Sequence, residues 1–374
     1  MRDKRKYYII IGSKTYFDAR LPKFSEEDDV GTFLELVKLS DASKQSRQPF
    51  EEWVDKLVLK NDNYHGIVDA AHDRLGPLIE DLTTEGAEIY VHNPPRVLKE
   101  YLENQYRRSL IELKIEAEEY EIERDSTVFV NKMGEISNNI VGQQEAIKEI
   151  SKSLWYLTTV KRTKPYVIML YGNSSLGKTE LVREIASKFF DGKYLEKHLS
   201  MFKNNNYSDY FFGDAPNRRS LGFDLLERES NLIFFDELDK CPEYFYSAFY
   251  TLFDNVLFKD ATYDANTSGI VIVLTSNFQS EEEMKKQLGL PIFYRIDKMI
   301  HFEDFGCDTI YAIVRNEISA REEEYKDKLT QEEIYAAVSP LVSTVGENAR
   351  TIKYKIQKVI EELLFQEVNE KMRD

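Results

Sequence analysis

The fold is decided by residues 166–179, which read YVIMLYGNSSLGKT. The first six residues form an apolar, β-rich run of the kind that is buried inside a parallel sheet. They lead directly into the pattern G-x-x-x-x-G-K-T, and a helical pattern of apolar residues follows over 181–189. In such a strand–loop–helix unit, the N–H groups of the loop surround phosphate groups at the helix N-terminus. We expect Lys178 to reach the β and γ phosphates of a nucleotide and the Thr179 hydroxyl to bind Mg²⁺.

Two further apolar runs end in side chains that suit the same chemistry. Residues 232–235 lead into Asp236 and Glu237, and residues 269–274 lead into a Thr-Ser-Asn turn that ends at Asn277. ATP hydrolysis requires one carboxylate near the metal and another that orients the attacking water. Adjacent acids at the carboxyl end of a parallel strand supply both. The Asn277 amide would contact the water and the γ-phosphate, and the alternative is a simple Ser-Asn turn.

The order and wording of these motifs resemble the AAA+ module of the Clp family of chaperone unfoldases, in particular the second ATPase ring of the ClpA/ClpB type. The matching sequence segments are Ile140-Val141-Gly142-Gln143, Gly177-Lys178-Thr179-Glu180-Leu181, Asp236-Glu237-Leu238-Asp239-Lys240 and Thr275-Ser276-Asn277. The resemblance covers residues 138–369. It implies an α/β fold with a P-loop AAA+ parallel sheet and a C-terminal helical lid. It also implies an ATPase whose cofactors are ATP and Mg²⁺.

The resemblance assigns roles to single residues as well. It implies that Arg295, in Phe-Tyr-Arg-Ile-Asp, reaches the ATP of a neighbouring subunit, and that Arg350 in the lid senses nucleotide in its own subunit. Because a guanidinium stabilises charge on the transferred phosphoryl group, a catalytic Arg295 in trans requires a hexameric ring or a filament. Both arginines could instead be surface or salt-bridge residues. The nucleotide-binding residues expected in this way are Val141, Gly142, Gly172, Gly177, Lys178, Thr179, Glu180 and Arg350, with Thr179 and Asp236 at the metal and Glu237, Asn277 and Arg295 catalytic.

Residues 213–220 depart from the family pattern. The pore loop of the family carries a tyrosine that grips polypeptide in the ring axis, and here the pair Arg218-Arg219 stands in its place. The pair could contact a nucleic-acid backbone, or it could form salt bridges to Asp214 or Asp224. Only 17 residues separate Asn277 from the next motif arginine, which leaves no room for a protease-docking loop. A ClpP-type protease is therefore not expected as a partner.

The chain divides into four predicted parts: a small α/β domain over 1–95 that binds a partner or ligand, a helical linker over 96–137, a large ATPase domain over 138–305 and a helical lid over 306–374. Within the first part we expect strands at 7–11 and 87–92 and a helix at 50–59. The net charge of −16 gives no sign of a basic nucleic-acid-binding domain. No apolar run approaches the length of a membrane span, so we expect a cytoplasmic protein without membrane contact.

Two functions remain open at this stage. The first is an ATP-driven ring- or filament-forming remodeller of proteins or protein complexes, whose N-terminal domain chooses the partner. The second is an ATPase that assembles on DNA or RNA and uses its ATP state as a switch, as in mobile-element or anti-phage systems. The Clp resemblance favours the first, and the arginine pair at 218–219 favours the second.

Overall fold

The computed structural model describes residues 3–25, 28–47, 50–202, 206–242, 245–343 and 346–373. The first part of the chain forms a five-stranded parallel sheet in the order β2-β3-β4-β1-β5. Because strand side chains alternate, Tyr7 and Ile9 lie in the core on one face of this sheet and Ile10 lies in the core on the other. The elements are β1 Lys6–Ile11, α1 Lys14–Arg20, β2 Val30–Thr32, α2 Phe33–Ser46, β3 Val54–Leu59, α3 Asp69–His72, α4 Leu75–Asp81, β4 Thr83–His92, α5 Arg96–Arg107 and β5 Glu112–Ala117.

The predicted helical linker over 96–137 is wrong in its middle. Residues Glu112–Ala117 form β5, which pairs in parallel with β1 from Lys6 opposite Glu112 to Ile11 opposite Ala117. The sequence ELKIEA alternates charged and apolar side chains, which suits an edge strand with one solvated face better than a charged helix. The first sheet therefore extends well past residue 95.

The predicted helix at 50–59 is also wrong, because residues Val54–Leu59 form β3. This strand lies inside the sheet between β2 and β4. Its apolar side chains serve both faces of the sheet, with Leu57 in one core cluster and Val58 in the other. A short apolar run of this kind cannot be distinguished from a helix by periodicity alone.

The second part of the chain forms another five-stranded parallel sheet, in the order β12-β6-β11-β8-β7. Cores on both faces bury β6, which lies between β12 and β11, since Ile168 and Leu170 lie in one cluster and Val167 and Met169 in the other. The elements are α6 Ser126–Asn139, α7 Gln144–Thr159, β6 Tyr166–Tyr171, α8 Lys178–Phe189, β7 Leu195–His198, α9 Asn206–Phe212, α10 Leu221–Leu226, β8 Leu232–Asp236, α11 Tyr246–Asp254, β9 Leu257–Lys259, β10 Asp264–Asn266, β11 Val271–Thr275, α12 Glu281–Phe293 and β12 Lys298–His301.

A helical lid follows the second sheet, as predicted. Its helices are α13 Cys307–Ala320, α14 Glu322–Tyr325, α15 Gln331–Val338 and α16 Ala349–Arg373. Ile310, Val314 and Ile318 recur at helical spacing on α13 and are buried, and they share a core with Ile352 and Ile356 of α16. The predicted fold class, a parallel α/β sheet with a C-terminal helical lid, is confirmed. None of the described helices has the length and apolarity needed to cross a bilayer.

The carboxyl end of the first sheet packs directly on the second part of the chain. Asn61, just after β3, donates from Nδ2 to Glu227 Oε1 at 2.8 Å. His92, at the end of β4, has Nδ1 3.7 Å from the same oxygen. Arg96 donates from Nε to Asp264 Oδ1 at 2.7 Å, and its backbone N–H donates to a further carbonyl of the second part. Since Asn61 and His92 are almost fully buried, this contact excludes water.

Three of the histidines lie in the first sheet unit, and burial lowers the pKa of each of them below 6.5. For His92 the nearby Glu227 carboxylate opposes this effect without cancelling it. His72 is 3% exposed and its ring Nε2 donates to the Tyr64 carbonyl at 2.9 Å. The folded chain therefore holds these rings in the neutral form at neutral pH.

Acidification from pH 7.5 to 5.5 should destabilise the chain. A lowered folded pKa means that the unfolded chain binds protons first as the pH falls below 6.5, so stability is lost in that window. The loss for His72 is at most about 1.4 kcal/mol per pH unit. Urea unfolding followed by circular dichroism at the two pH values measures it. His72→Gln should shrink the difference and His301→Gln, at an exposed position, should not. Equal stability at both pH values would contradict this.

Candidate active site

The loop between β6 and α8 has the shape that its glycines allow. Gly172 has φ 133° and Gly177 has φ 97°, which are conformations that L side chains rarely adopt. A Cβ at Gly172 would also lie 2.4 Å from the carbonyl oxygen of Phe302. Lys178 donates from Nζ to the carbonyls of Gly172 at 2.8 Å and Asn173 at 2.6 Å. The loop therefore folds around the ammonium group of its own lysine.

Lys178 carries a buried positive charge at the centre of the site. Lys178 is only 7% exposed. Burial lowers the pKa of its ammonium group to about 8, and the nearby Asp239 and Asp236 carboxylates oppose this effect only in part. A buried cation is stable only when anions or dipoles compensate it. The phosphates of a nucleotide, seated on the N-terminus of α8, would supply that compensation. The residues of the loop thus fit the expected ligand.

The two acids of β8 have different surroundings. Thr179 Oγ1 donates to Asp236 Oδ1 at 3.4 Å, and Thr275 at the end of β11 donates to the same oxygen. Glu237 has φ 61°, which is uncommon for a residue other than glycine, and its backbone N–H donates to Thr275 Oγ1 at 3.0 Å. The Glu237 carboxylate has no hydrogen bond or ion pair within the described ranges. Asp236 and Thr179 offer oxygen ligands of the kind that Mg²⁺ takes.

Asn277 is fixed beside Lys178 by a residue that the sequence did not single out. Asp239 accepts the backbone N–H of Asn277 at 3.1 Å and its side-chain Nδ2 at 3.2 Å. The other end of the amide, Oδ1, accepts from Lys178 Nζ at 3.4 Å. Asp239 lies three residues after Asp236 in the short 3₁₀ helix Leu238–Lys240, and this spacing in Asp-Glu-Leu-Asp was the available signal. His198, at the end of β7, was also missed, and its Nδ1 lies 3.3 Å from Asp236 Oδ2.

Comparison with known proteins agrees with this geometry. Residues 163–340 match a family model described as "AAA domain (Cdc48 subfamily)". Chaperone protein ClpB of Mycoplasmoides gallisepticum is 24% identical over 274 residues, which cover 64% of this chain and 37% of that protein. The Saccharomyces cerevisiae Hsp104–ADP complex shares the fold, with a TM-score of 0.50 and 19% identity over 66% of this chain and 41% of that one. The module formed by residues 163–340 is similar to the AAA+ ATPase modules of the Clp family.

A different relative is the chromosomal replication initiator protein DnaA of Buchnera aphidicola. It is 27% identical over 223 residues, which cover 51% of this chain and 44% of that protein. The chain therefore spans less than half the length of each of these three relatives. The shared part is the AAA+ module, and the first sheet unit lies outside the residues matched by the family model.

The Val141-Gly142-Gln143 segment of the module joins the phosphate loop to the lid. Gln143 donates from Nε2 to the Leu176 carbonyl of the loop at 3.4 Å. Gly142 has φ 81°, and a Cβ there would lie 2.2 Å from Cγ2 of Thr309 in α13. Val141 is half-buried next to it. This position, between loop and lid, is suited to contact with a nucleotide base.

The lid also contacts the loop through the start of α16. The backbone N–H of Ala349 donates to the Ser175 carbonyl at 3.2 Å. Arg350 follows it and is exposed, so the structure places it one residue from the phosphate loop contact. Glu180 is exposed in the first turn of α8. Its position is near the expected phosphates, but its carboxylate makes no described contact with the other site residues.

Arg295 is not part of the cluster around Lys178 in its own chain. Its Nε donates to Asp254 Oδ2 at 2.5 Å, and its guanidinium lies 4.9 Å from the centre of the Tyr250 ring. A second nitrogen donates to the Pro291 carbonyl at 2.6 Å. The guanidinium is thus held by α11 and α12, and none of these partners belongs to the phosphate loop.

Arg218 and Arg219 are ion-paired within the described part of the chain. Arg218 pairs with Asp214 and Arg219 with Asp224, each at 2.7 Å. The Asp224 side chain is 4% exposed and also pairs with Lys197 at 2.7 Å. Burial raises the pKa of Asp224, but Lys197, Tyr210 and Arg219 together lower it further, so it stays ionised. Of the two interpretations that the sequence left open, the structure contains the salt bridges.

Asp239→Ala should slow ATP hydrolysis because Asn277 would lose the hydrogen bonds that its backbone N–H and its side-chain Nδ2 donate to the Asp239 carboxylate. Losses of about 10- to 100-fold are usual for partners that orient a residue at a reactive centre. Nucleotide affinity, measured with a fluorescent ADP analogue, should stay close to that of the wild type. Lys240→Ala is the control, since Lys240 is exposed and its loss removes an ion pair of 2.9 Å with the same aspartate but leaves the Asp239 carboxylate in place for Asn277. Normal turnover by Asp239→Ala would contradict this positioning role.

Proposed function

We propose that this chain hydrolyses ATP as a ring or filament and uses the energy to remodel proteins or protein complexes. The observation that supports this most directly is the free carboxylate of Glu237 beside the Asp236–Thr179 pair. A carboxylate with no internal partner is available to accept a hydrogen bond from water. Lys178 and Asn277 lie at the same edge of the sheet, where the γ-phosphate would lie.

Each side chain has a distinct task under this proposal. Lys178 binds the β and γ phosphates, and the N–H groups of the glycine loop surround them. Thr179 and Asp236 would hold Mg²⁺, which would neutralise phosphate charge when bound. Glu237 orients the attacking water and accepts its proton, while Asn277 aligns that water with the phosphate. Val141, Gly142, Glu180 and Arg350 complete the nucleotide site from the sides of the loop and lid.

Arg295 acts in trans under this proposal. Its partners are in α11 and α12 rather than at its own phosphate loop, so the ATP that it serves belongs to a neighbour. The side chain is 30% exposed and its ion pair with Asp254 is at the surface, where an exchange of partners costs little. The Hsp104 and ClpB likeness supports self-association, and we propose a hexameric ring or a filament.

The first sheet unit would choose the partner, and the AAA+ module would act on it. We propose no ClpP-type protease partner, since the segment between Asn277 and Arg295 forms α12 and its short flanks. A cytoplasmic location stays a prediction.

The alternative is an ATPase switch that assembles on nucleic acid. The relationship to DnaA, whose name describes a replication initiator, is the observation in its favour. The arginine pair at 218–219 supports it less than the sequence suggests, because Asp214 and Asp224 form ion pairs with the two guanidinium groups. Protein remodelling is therefore the function that we favour.

Two substitutions separate binding from hydrolysis. Lys178→Ala should abolish ATP binding because it removes the cation that faces the phosphates. Glu237→Gln should bind ATP normally and hydrolyse it slower by about three orders of magnitude, because water orientation is lost and the Asp236 site is kept. Calorimetry measures the binding and phosphate release measures the turnover.

The same assay decides between the two functions. If Glu237→Gln hydrolyses ATP at the normal rate, the assignment of the catalytic carboxylate is wrong. Stimulation of the wild type by DNA or RNA that fades with salt, and that Arg218→Ala with Arg219→Ala abolishes, would establish the nucleic-acid alternative. The absence of any such stimulation at low salt would eliminate it.

Mixed assemblies test Arg295. Arg295→Ala should bind nucleotide but lose hydrolysis, and mixing it with Lys178→Ala should restore part of the rate because an intact pocket then meets an intact arginine. The control mixture of Lys178→Ala with Glu237→Gln contains no intact pocket and should stay inactive. Specific activity of the wild type should rise with protein concentration. Turnover by a monomer, independent of concentration, would disprove action in trans.

A further inference from the structure

The two ends of the first sheet have different surroundings. Ligands of parallel α/β sheets ordinarily bind at the carboxyl ends of the strands. Here that end is covered by the AAA+ module, because Asn61 and His92 are 1% exposed and face Glu227. Tyr120 just beyond β5 adds to the cover by donating to the Arg228 carbonyl at 2.5 Å. A partner of this unit must therefore bind elsewhere on it.

The opposite, amino end of the sheet is open. Trp53 immediately precedes β3 and is 48% exposed, and it packs edge-to-face on Phe50 with 6.0 Å between ring centres. Two hollows of about 700 and 650 Å³ lie on either side of the indole, and Trp53 lines both. Leu39 of α2 adds a side chain that is 41% exposed to the larger one. We call this region, from Leu39 across Trp53 to Thr84, the Trp53 surface.

Acidic side chains surround the Trp53 surface. They outnumber basic ones four to one in the larger hollow and three to two in the smaller. Glu51 and Glu52 are exposed and, among the described residues, have no ion pair. Arg5, one of the few cations, is held by the Thr83 hydroxyl and by two backbone carbonyls. The surface therefore combines an apolar centre with an acidic rim, in which Glu51 and Glu52 have no ion pair among the described residues.

We propose that the Trp53 surface binds an extended basic segment of another protein, with an apolar side chain on the indole and lysine or arginine side chains toward Glu51 and Glu52. This inference rests on the proposed role of the first unit in choosing the partner. An exposed aromatic anchor within a charged rim is the usual composition of a peptide-binding hot spot. Nucleic acid and anionic membranes are repelled by the rim. A second copy of the chain would have to bring basic side chains to this rim, and acidic residues outnumber basic ones in the sequence, 66 to 50.

Tryptophan fluorescence gives a direct test, because the chain contains only two tryptophans. Trp155→Phe removes the other one, which packs in the AAA+ module against Phe129. In that background, an amidated nonapeptide of alternating lysine and leucine should shift the Trp53 emission to shorter wavelength and saturate. A lysine–serine peptide should bind weakly for lack of the apolar side chain, and a glutamate–leucine peptide should not bind.

Variants measured with a labelled lysine–leucine peptide define the surface. Trp53→Ala should weaken binding by about tenfold or more, as expected when an aromatic anchor is lost. Glu51→Lys with Glu52→Lys should weaken it by about fivefold at low salt, with the difference fading as salt rises. The matched control is Glu322→Lys with Glu323→Lys in the lid, which makes the same change in net charge and should have no effect.

Several outcomes would overturn the proposal. Two concern the lysine–leucine peptide: unchanged Trp53 emission on adding it, or equal affinity of the wild type and Trp53→Ala for it. A third is equal binding of the glutamate–leucine peptide. A fourth is an emission shift on concentrating the protein alone, which would mean that a second copy covers the surface. Basal ATPase rate separates this from the proposed function. Trp53→Ala should keep the wild-type rate. Intact ATPase without peptide binding defeats only the Trp53 surface, and peptide binding without ATPase defeats only the proposed function.

Discussion

The site depends on keeping one positive charge, the ammonium group of Lys178, in a place that is almost closed to water. Burial lowers its pKa to about 8, so the surrounding groups must compensate the charge for it to persist. Two loop carbonyls and the Asn277 amide oxygen do so at short range, and Asp236 and Asp239 do so at longer range. The strands β6, β8 and β11 each lead into one of the compensating groups. Phosphates arriving at the loop enter a field that is already organised for them.

A second buried contact joins the first sheet unit to α10 (Leu221–Leu226), the short helix that follows Arg218 and Arg219. Arg96 donates from its guanidinium to the Asp260 backbone carbonyl at 2.6 Å, and the Asp260 carboxylate accepts from the Ser220 hydroxyl at 2.6 Å and the Gly222 N–H at 3.0 Å. Glu227, directly after the last residue of α10, contacts Asn61 and His92. Because both ends of α10 are held in this way, a displacement of the first sheet unit would also displace the chain directly beside Arg219.

Sequence reasoning was most successful where function depends on neighbours along the chain. Asp236 and Asn277 lie at or just after strand ends and Lys178 begins α8 after the phosphate loop, all within local patterns, and the structure brings the three to one edge of the sheet. Asp239 was missed because its role depends on a residue 38 positions away. The sequence predicts a helix at 112–117 because only the charged residues of the segment itself can be judged from it, whereas the partner strand β1 is about a hundred residues distant. The sequence leaves the partners of Arg218 and Arg219 open for the same reason. It shows that acidic residues are close along the chain, but it does not show that one of them, Asp224, is buried.

Those ion pairs change what a ring of this module would present along its axis. Arg218, Arg219 and Lys197 contribute three positive charges, and Asp214 and Asp224 contribute two negative ones, so each loop carries one net positive charge rather than two free guanidinium groups. Repulsion among neighbouring loops is correspondingly small, and assembly does not require an anion in the channel. The same pairing engages both guanidinium groups of the loop with carboxylates of the chain itself. We propose that selection lies at the open end of the first sheet, with its exposed indole and acidic rim.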